Sequence, residues 1–496
     1  MCSSDLATVT TKGFRDILEI AYERRYSQYD INLVKPDLIV PRSSAFTIGG
    51  RMDARGRELE PLEEVSLARL VEELTASGAE AVAICLMHAY ANPVHELRLR
   101  DLMQAQMPNL VISLSHEVSP EAREFDRLST TIANAYIQPQ MASYLAGFQA
   151  RFNDEGLTCP ILMMTASGGM TTMETAARLP IRLVESGPAG GAILAARIAA
   201  ETSEREVLSF DMGGTTAKLC LIDHFRPQSA RKFEIARAAR FIKGSGMPVR
   251  IPVIEMIEIG AGGGSIAHVD RLGRLQVGPE SAGSEPGPAA FAKGGTEPTV
   301  TDADVMQGLI EPGCFAEGRL AIDMEAAQVA LEQGVGQTLG LDAAQAGRGI
   351  SEIVDENMAN AGRMHAVESG KDLGARLMIA FGGNGPLHAT RVARRSQVDR
   401  ILIPRDPGVG SAVGFLFAPV SFEIIRSRYA RLEDLELDGL NTFFDEMRDE
   451  AISVVRAGAP EDALTQRRQA FMRYHGQGHE IRSEEHTSEL QSPDHL

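Results

Sequence analysis

Alternating apolar and polar positions in the first part of the chain predict repeated helix–strand units. EEVSLARLVEELTASGAEAVAICLMHAY (63–90) reads as an amphipathic helix, a glycine turn and a buried strand. HELRLRDLMQAQMPNLVISLSHEV (95–118) repeats that order, with a break at Pro108 and a strand over Leu110–Leu114. A helix joined to a strand by a short turn is half of an α/β unit. The pattern therefore predicts an α/β fold.

Three further segments extend this pattern. A long helix is predicted over Phe125–Phe152, with an interruption near Pro139 because proline removes a backbone N–H. TKGFRDILEIAYERR (11–25) has apolar residues at helical spacing. CPILMMTASGG (159–169) reads as a strand that runs into a glycine loop.

Glycine turns separate the predicted elements of the second half. LSFDMGGTTAKLCLID (208–223) reads as strand, glycine turn, strand, whereas ARLMIAFGGNGPLHATRVARRSQVDRILIP (375–404) reads as strand, glycine turn, helix, strand. Helices are predicted at about 324–335 and 343–369 between them. After Pro419 the chain becomes more charged, which suggests the helices of another module.

Composition agrees with a soluble globular enzyme. The chain has 496 residues, 44% of them hydrophobic and 23% charged, with a net charge of −18. Two or three domains fit this length, and the acidic balance leaves no basic surplus for a nucleic-acid binder. The five cysteines are scattered without a CxxC pair, which argues against disulfides and a zinc site. Neither a membrane-spanning run nor a signal peptide is evident, so a cytoplasmic protein without membrane contact is expected.

Both ends of the chain differ in character from the rest. RSEEHTSELQS (482–492) translates a nucleotide string that resembles a common sequencing adapter, and the opening MCSSDL resembles the opposite adapter arm. We interpret both ends as adapter-derived and the chain between them as a fragment; a natural polar tail is the alternative. The expected divisions are an adapter scar at 1–6, a partial N-terminal domain over 7–125, a core domain over 126–418, a truncated C-terminal module over 419–481 and a second scar over 482–496.

The glycine turn of the first hairpin is a candidate phosphate loop. Asp211 ends the incoming strand, and Gly213, Gly214, Thr215 and Thr216 form the turn. Glycines let backbone N–H groups converge on an anion. A strand follows the turn, whereas a helix follows Walker and dinucleotide loops. The hairpin resembles the phosphate loops of the actin, sugar-kinase and Hsp70 ATPase superfamily, in which ATP lies between two α/β domains; an ordinary tight hairpin is the alternative.

A second glycine turn, FGGNGPLHA (381–389), lies between a predicted strand and a helix. It contains Gly382, Gly383 and Gly385, and Pro386 stands near the helix start, where proline is favoured. The turn resembles the adenosine-binding turn of the same superfamily. Plain α/β architecture is the alternative for this turn alone, but its position after the first hairpin favours nucleotide binding.

A wider resemblance covers about residues 7–481. The chain carries, in order, TTKGFRDILEI, HAYANPVHE, EFDRLSTTIANAYIQP, VESGPAGGA, FDMGGTTAK, IGAGGGSIA, VGPESAGSEPGPA, PTVTDADVMQG, FGGNGPLHA and YHGQGHE. These motifs resemble those of the hydantoinase A / 5-oxoprolinase family, which includes acetone carboxylase subunits. The resemblance implies an α/β fold of actin-like ATPase domains, the first of them truncated, followed by the start of a C-terminal module.

The resemblance also implies an activity. ATP, with Mg²⁺, would phosphorylate the carbonyl oxygen of a cyclic imide or lactam such as hydantoin, N-methylhydantoin or 5-oxoproline, and water would open the ring. A ketone carboxylase subunit, a nucleotide-binding protein without turnover and a chaperone-like binding protein are the alternatives. A hydantoinase B-type subunit is the implied partner, in an oligomer.

Roles are carried over residue by residue. Catalytic roles fall to Asp211 and Thr215. Nucleotide contacts fall to residues of three loops, namely Gly213, Gly214, Thr216, Gly262, Gly263, Gly382, Gly383 and Gly385. Magnesium would be held by Asp211 together with Asp302 and Asp304, which share a face if TVTDAD (299–304) is extended. A helix N-cap for one of these aspartates and a structural role for the glycine run at 262–264 are the alternatives.

The remaining polar motifs have structural interpretations. GPAGG (187–191) is interpreted as a close-packing turn before a helix, with anion binding as the alternative. The histidines in family-like stretches show no HxH or HExxH spacing, and a structural role is expected for His88, His95, His116 and His388.

Two departures from the family pattern limit the assignment. Many relatives carry Thr-Asp where this chain has Ala217 and Lys218, so Lys218 is a candidate phosphate contact or a solvent-facing lysine. The resemblance implies another hairpin, similar to GGTFTD, before Ala7, and none occurs there. The chain is therefore expected to lack half of the ATP cleft and to be inactive by itself.

Overall fold

The structure is a computed structural model that describes residues 5–22, 27, 29–33, 37–235, 244–313, 315–477 and 480–483. The first region confirms the predicted helix–strand units. Its elements are β1 (Leu6–Thr11), α1 (Ile17–Ile20), β2 (Ala45–Ile48), β3 (Arg51–Met52), β4 (Glu58–Glu60), α2 (Leu67–Ser77), β5 (Ala81–Cys85), α3 (Val94–Gln106), β6 (Val111–Leu114), α4 (Ser115–Val118) and α5 (Glu124–Asp154).

A four-stranded parallel sheet organises this region, with strand order β2-β1-β5-β6. Gly78 ends α2 with φ 73°, a conformation that glycine adopts at little cost, and lets the chain enter β5. All five residues of β5 are buried. Helix α5 runs without a break through Pro139, so the predicted interruption was wrong. Proline removes one hydrogen bond there, and the packing of the buried first half of α5 outweighs that loss.

The second region contains the predicted hairpin. Its elements are β7 (Leu162–Met164), β8 (Met170–Thr172), α6 (Met173–Arg178), α7 (Ser186–Glu201), β9 (Glu206–Met212), β10 (Ala217–Asp223), β11 (Arg226–Pro227), β12 (Ser229–Ala230), β13 (Phe233–Ile235), β14 (Met247–Val249), β15 (Val253–Ile254), β16 (Ile257–Ile259), β17 (Ser265–Val269) and β18 (Leu275–Ser281).

The third region is mainly helical. Its elements are α8 (Val300–Met306), α9 (Met324–Leu331), α10 (Gln337–Leu339), α11 (Ala343–Glu368), β19 (Leu377–Phe381), α12 (Gly385–Arg395), β20 (Arg400–Leu402), α13 (Gly410–Phe415), α14 (Leu437–Gly458), β21 (Ala470–Met472) and β22 (Ile481–Ser483). The predicted helix at 343–369 is confirmed as α11. The one predicted at 324–335 is α9 followed by a π-helical turn. Of the one predicted at 11–25, residues 11–22 are described and contain α1, and residues 23–25 lie outside the described residues.

A six-stranded sheet joins the second and third regions. Its order is β11-β10-β9-β19-β20, and β16 pairs with β10. Strands β9, β19 and β20 run parallel. Alternate residues of each strand face opposite layers: Phe210 and Met378 pack with α11 and α12, whereas Val207 and Ile379 pack with α7. The sheet is therefore covered by helices on both faces.

The chain ends and the predicted domain boundaries stay predictions. Residues 1–4 and 484–496, and Gly478 and His479 of YHGQGHE, lie outside the described residues, while Leu6 begins β1. Within the described ranges, the helices are all too short or too polar to cross a bilayer.

Candidate functional site

The predicted phosphate loop is a tight hairpin at the end of β9. The Gly213 N–H donates to the Thr216 carbonyl oxygen at 3.0 Å, and the next pair, Met212 with Ala217, continues the antiparallel ladder. Gly214 and Thr215 are exposed at the tip. Their N–H groups donate to no other group in the described ranges, which leaves two adjacent backbone donors for an anion.

The glycine run at 262–264 packs directly against this hairpin. The Gly263 N–H donates to the Gly213 carbonyl at 3.1 Å, and the Gly264 N–H donates to the Gly214 carbonyl at 2.6 Å. A Cβ atom on Gly262 would lie 2.6 Å from the backbone of Gly214 and Thr215. Only glycine permits so close an approach. The glycine run therefore packs against the hairpin and holds its backbone in position.

The second predicted glycine turn meets the same hairpin. Parallel strands β9 and β19 place Asp211 opposite Phe381, so the turns that follow both strands emerge side by side. Gly382 has φ 87°, and a Cβ atom on it would lie 2.4 Å from Asp211 Oδ1. Asn384 donates from Nδ2 to the Gly213 carbonyl at 3.0 Å, and its N–H donates to the Met212 carbonyl at 2.9 Å. The three predicted glycine loops thus converge.

Asp211 stands at this junction with part of its surface accessible. Its Oδ2 accepts a hydrogen bond from Ser411 Oγ at 2.9 Å. Burial raises the pKa of Asp211, and the hydrogen bond from Ser411 and the charge of Lys218 oppose that rise. The sequence analysis missed both contacts: Asn384 lies within the second glycine turn, where only the glycines were singled out, and Ser411 lies outside the glycine motifs that were singled out.

Lys218 points toward the hairpin rather than freely into solvent. Its Nζ lies 3.2 Å from Thr216 Oγ1 and 3.2 Å from Glu258 Oε1.

Glu185 lies at the N-terminus of α7, within electrostatic reach of Lys218 and Glu258, and has φ 63°. Burial raises the pKa of Glu185, the charge of Glu258 adds to the rise, and Lys218 opposes it. A residue other than glycine is uncommon in the left-handed region, and the sequence analysis did not single out Glu185.

Asp302 and Asp304 lie in helix α8, so the premise of an extended segment was wrong. Asp302 forms a capping box with Thr299, and its Oδ1 accepts from the Ala290 N–H at 2.7 Å. Both of its oxygens are therefore occupied by protein donors. The N-cap of α8 is Thr299 and Asp302 is the N3 residue of its capping box, so neither aspartate is the N-cap that the alternative interpretation expected. The metal role of both aspartates stays a prediction. Among the described residues, no three His, Cys, Asp or Glu side chains are grouped to hold a metal ion.

Asp304 instead belongs to a buried ionic cluster beneath the glycine loops. His388 Nε2 lies 3.1 Å from Asp304 Oδ2, and His388 Nδ1 lies 2.6 Å from Asp355 Oδ1. Arg391 Nε lies 2.7 Å from Asp355 Oδ2. Burial disfavours the imidazolium, but the two carboxylates outweigh that effect and raise the pKa of His388 to about 9. The cluster ties together α8, α11 and α12.

The other residues with predicted structural roles make packing contacts or ion pairs within the protein. GPAGG lies within α7 rather than in a turn before it, and a Cβ atom on Gly190 would lie 2.4 Å from the Ser411 carbonyl oxygen. Close packing with α13 explains these glycines. His95 lies 2.7 Å from Glu58 and His116 lies 2.7 Å from Glu96, so both form pairs with single carboxylates.

Comparison with known proteins places this chain in a family. Residues 127–424 match the family model described as Hydantoinase/oxoprolinase, and residues 3–107 match the model of the Hydantoinase/oxoprolinase N-terminal region. An uncharacterized protein of Methanocaldococcus jannaschii, MJ0964, is 35% identical over 96% of this chain and 70% of its own length. The caprolactamase subunit alpha of Pseudomonas jessenii is 30% identical over 90% of this chain and 63% of its own length.

A solved structure shares the fold. The crystal structure of ATP-dependent caprolactamase from Pseudomonas jessenii superposes with a TM-score of 0.79 at 28% identity, covering 98% of this chain and 71% of that one. The predicted α/β fold and the predicted resemblance are confirmed. This chain belongs to the hydantoinase/oxoprolinase family.

Proposed function

We propose that this protein binds ATP at the converging glycine loops and takes part in the ATP-dependent ring opening of a cyclic amide, such as hydantoin, N-methylhydantoin or 5-oxoproline. The observation that carries the proposal is that two further glycine loops, at 262–264 and 382–385, pack against the hairpin that follows Asp211. A Cβ atom on Gly262 would lie 2.6 Å from the hairpin backbone, and one on Gly382 would lie 2.4 Å from Asp211 Oδ1, so both supporting loops need glycine at these positions. An ordinary hairpin does not need two further glycine loops against it.

The phosphates of ATP would meet the hairpin tip. Gly214 and Thr215 offer backbone N–H groups, and Thr215 and Thr216 offer hydroxyls. The Asp211 carboxylate would hold Mg²⁺, which offsets charge on the transferring phosphoryl group. A single carboxylate fits this ion, since Mg²⁺ at nucleotide sites is bound largely through phosphates and water. The turn at Gly382, Gly383 and Gly385 would contact the nucleoside.

The proposed reaction has two stages. The γ-phosphoryl group moves from ATP to the amide oxygen, and water then adds to the activated carbon. The net products are the ring-opened acid, ADP and phosphate. Glu185 is the candidate general base for that water, because it stands at the N-terminus of α7 within electrostatic reach of Lys218, and burial raises its pKa.

A partner subunit is part of the proposal. The Pseudomonas relative is named as a subunit of caprolactamase, which supports a hydantoinase B-type partner in an oligomer. The test of function therefore includes both the chain and a candidate partner.

The deciding experiment is calorimetric titration with Mg·ATP, on this chain and on a version extended by the N-terminal hairpin that the family resemblance implies. Saturable binding in either supports the nucleotide site, and binding in neither overturns it. Cyclic amides and acetone are then compared as activators of ADP release in the presence of the partner. Stimulation by a cyclic amide supports ring opening, whereas stimulation by acetone alone favours the carboxylase alternative.

Replacing Glu185 with Gln tests the base separately. The variant should retain Mg·ATP affinity and lose about a hundredfold in ring opening, because general-base catalysis contributes that much or more. Equal turnover across the pH range would remove Glu185 from the mechanism.

A further inference from the structure

A cavity of about 220 Å³ lies where three distant segments of the chain meet. One wall comes from the α4 region, another from the turn after α6, and the third from residues 422–426 together with α14. It shares no lining residue with the glycine loops. Ligand sites often form where separate parts of a chain come together.

The charged side chains that line this cavity are not all ion-paired. Arg426 is ion-paired with Glu450, and Glu117 lies 3.6 Å from Arg100, so these acidic groups already have cationic partners. Arg178 and Arg182 also line the cavity. Neither of these two has a carboxylate partner within hydrogen-bond distance in the described ranges.

Arg182 is held in place by uncharged groups, and the charges of Glu423 and Glu450 act on it without a hydrogen bond to either carboxylate in the described ranges. It donates from Nη1 to the Glu423 carbonyl at 2.8 Å, and its guanidinium lies 4.4 Å from the centre of the Phe422 ring. Its Nε is buried and has no hydrogen-bond partner in the described ranges. Burial lowers the pKa of Arg182 to about 10, which shows the cost of keeping this cation desolvated. An anion beside it would offset that cost.

We infer that this cavity binds a small organic carboxylate through Arg178 and Arg182. The planar guanidinium fork matches a carboxylate, and the apolar side chains of Leu179, Phe422 and Ile424 in the walls suit an aliphatic chain behind it. The volume accommodates a ligand of roughly ten non-hydrogen atoms. The inference stands apart from the proposed function, because it requires neither nucleotide binding nor turnover.

Calorimetric titration of the whole chain with hexanoate tests the inference, with neutral hexanamide as the matched ligand. Hexanoate should saturate, and hexanamide should bind at least about tenfold more weakly because it lacks the charge. Exposed Arg178 can be replaced by Ala without disturbing the core, and this variant should lose about tenfold in hexanoate affinity. Arg182→Lys should also weaken binding, whereas Arg271→Ala, an exposed arginine outside the cavity, should bind as the parent does.

Four results would overturn the inference. The first is no saturation by hexanoate up to about 10 mM, a concentration that corresponds to negligible affinity. The second is equal binding of hexanoate and hexanamide. The third is unchanged affinity in both arginine variants. The fourth is binding of inorganic phosphate as tightly as hexanoate, which would show that the cavity takes a simple anion rather than an organic carboxylate.

Discussion

The parallel four-stranded sheet and the mixed six-stranded sheet place polar groups after their strands in opposite ways. At the edge of the four-stranded sheet, buried Glu96 accepts from the Leu86 N–H and Ser115 Oγ, and Arg127 donates to the Leu86 carbonyl and to Ser115 Oγ. At the edge of the six-stranded sheet, the exposed N–H groups of the hairpin tip have no partner among the residues that the structure describes. The first edge is closed by the protein itself, whereas the second is open to a ligand.

The comparison separates structural from functional polar residues. Both edges follow parallel strands, where α/β proteins commonly bind ligands. Only the second edge combines open donors with glycines that admit no side chain. A buried charge whose bonds are all made inside the protein stabilises the fold, and donors left open are available for binding.

The largest expected effect tests the closed edge. Glu96→Ala leaves the Leu86 N–H and the Ser115 hydroxyl buried without their acceptor and removes the partner of His116. The free energy of unfolding should fall by about 3–5 kcal/mol, as for other broken buried ion pairs. Urea denaturation measures this change. A loss below about 1 kcal/mol would show that the edge is not closed as described.

The buried cluster beneath the open edge should give a pH-dependent stability. The pKa of His388 is raised from 6.5 to about 9, so the protonated form is favoured in the folded state. Its stabilisation is complete below pH 6.5 and is lost as the pH rises through about 9. The loss is on the order of 3 kcal/mol. Unfolding measured across this range should show the slope in the parent chain but not in His388→Gln, and equal slopes would contradict the assignment.

Substitution at the open edge should change the affinity for Mg·ATP more than it changes the free energy of unfolding. Gly262→Ala places a Cβ atom 2.6 Å from the hairpin backbone and must displace its tip. Mg·ATP affinity should fall more than about tenfold, which equals 1.4 kcal/mol. The control is Gly147→Ala, in helix α5, where a Cβ atom meets nothing within 4 Å. Calorimetry on both variants decides, and equal affinities would separate the glycine run from nucleotide binding.

The smallest expected effect concerns Lys218. Its ion pair with Glu258 is partly exposed, at 21% and 43% of the two side chains, so it contributes little to stability. Lys218→Met should change the free energy of unfolding by less than about 1 kcal/mol. A larger loss in urea denaturation would place Lys218 among the closed, structural groups.

Much of this architecture could be predicted from local pattern. Helix α2, the turn at Gly78 and strand β5 follow from periodicity and one glycine. The predictions failed where packing outweighs local preference. Pro139 does not interrupt α5, and the segment at Asp302 is helical because Thr299 and Asp302 cap each other.

The sequence by itself determined most of the helices and strands, the glycine turns and the family, because each depends on residues that are close together along the chain. Tertiary structure decided which groups meet. Parallel pairing of β9 with β19 brings Gly382 against Asp211, and α13 brings Ser411 to the same carboxylate. The tertiary structure also buries Asp304 against His388 rather than exposing it to a ligand. Such contacts join residues far apart in the chain, and their energies depend on burial and geometry that no local pattern contains.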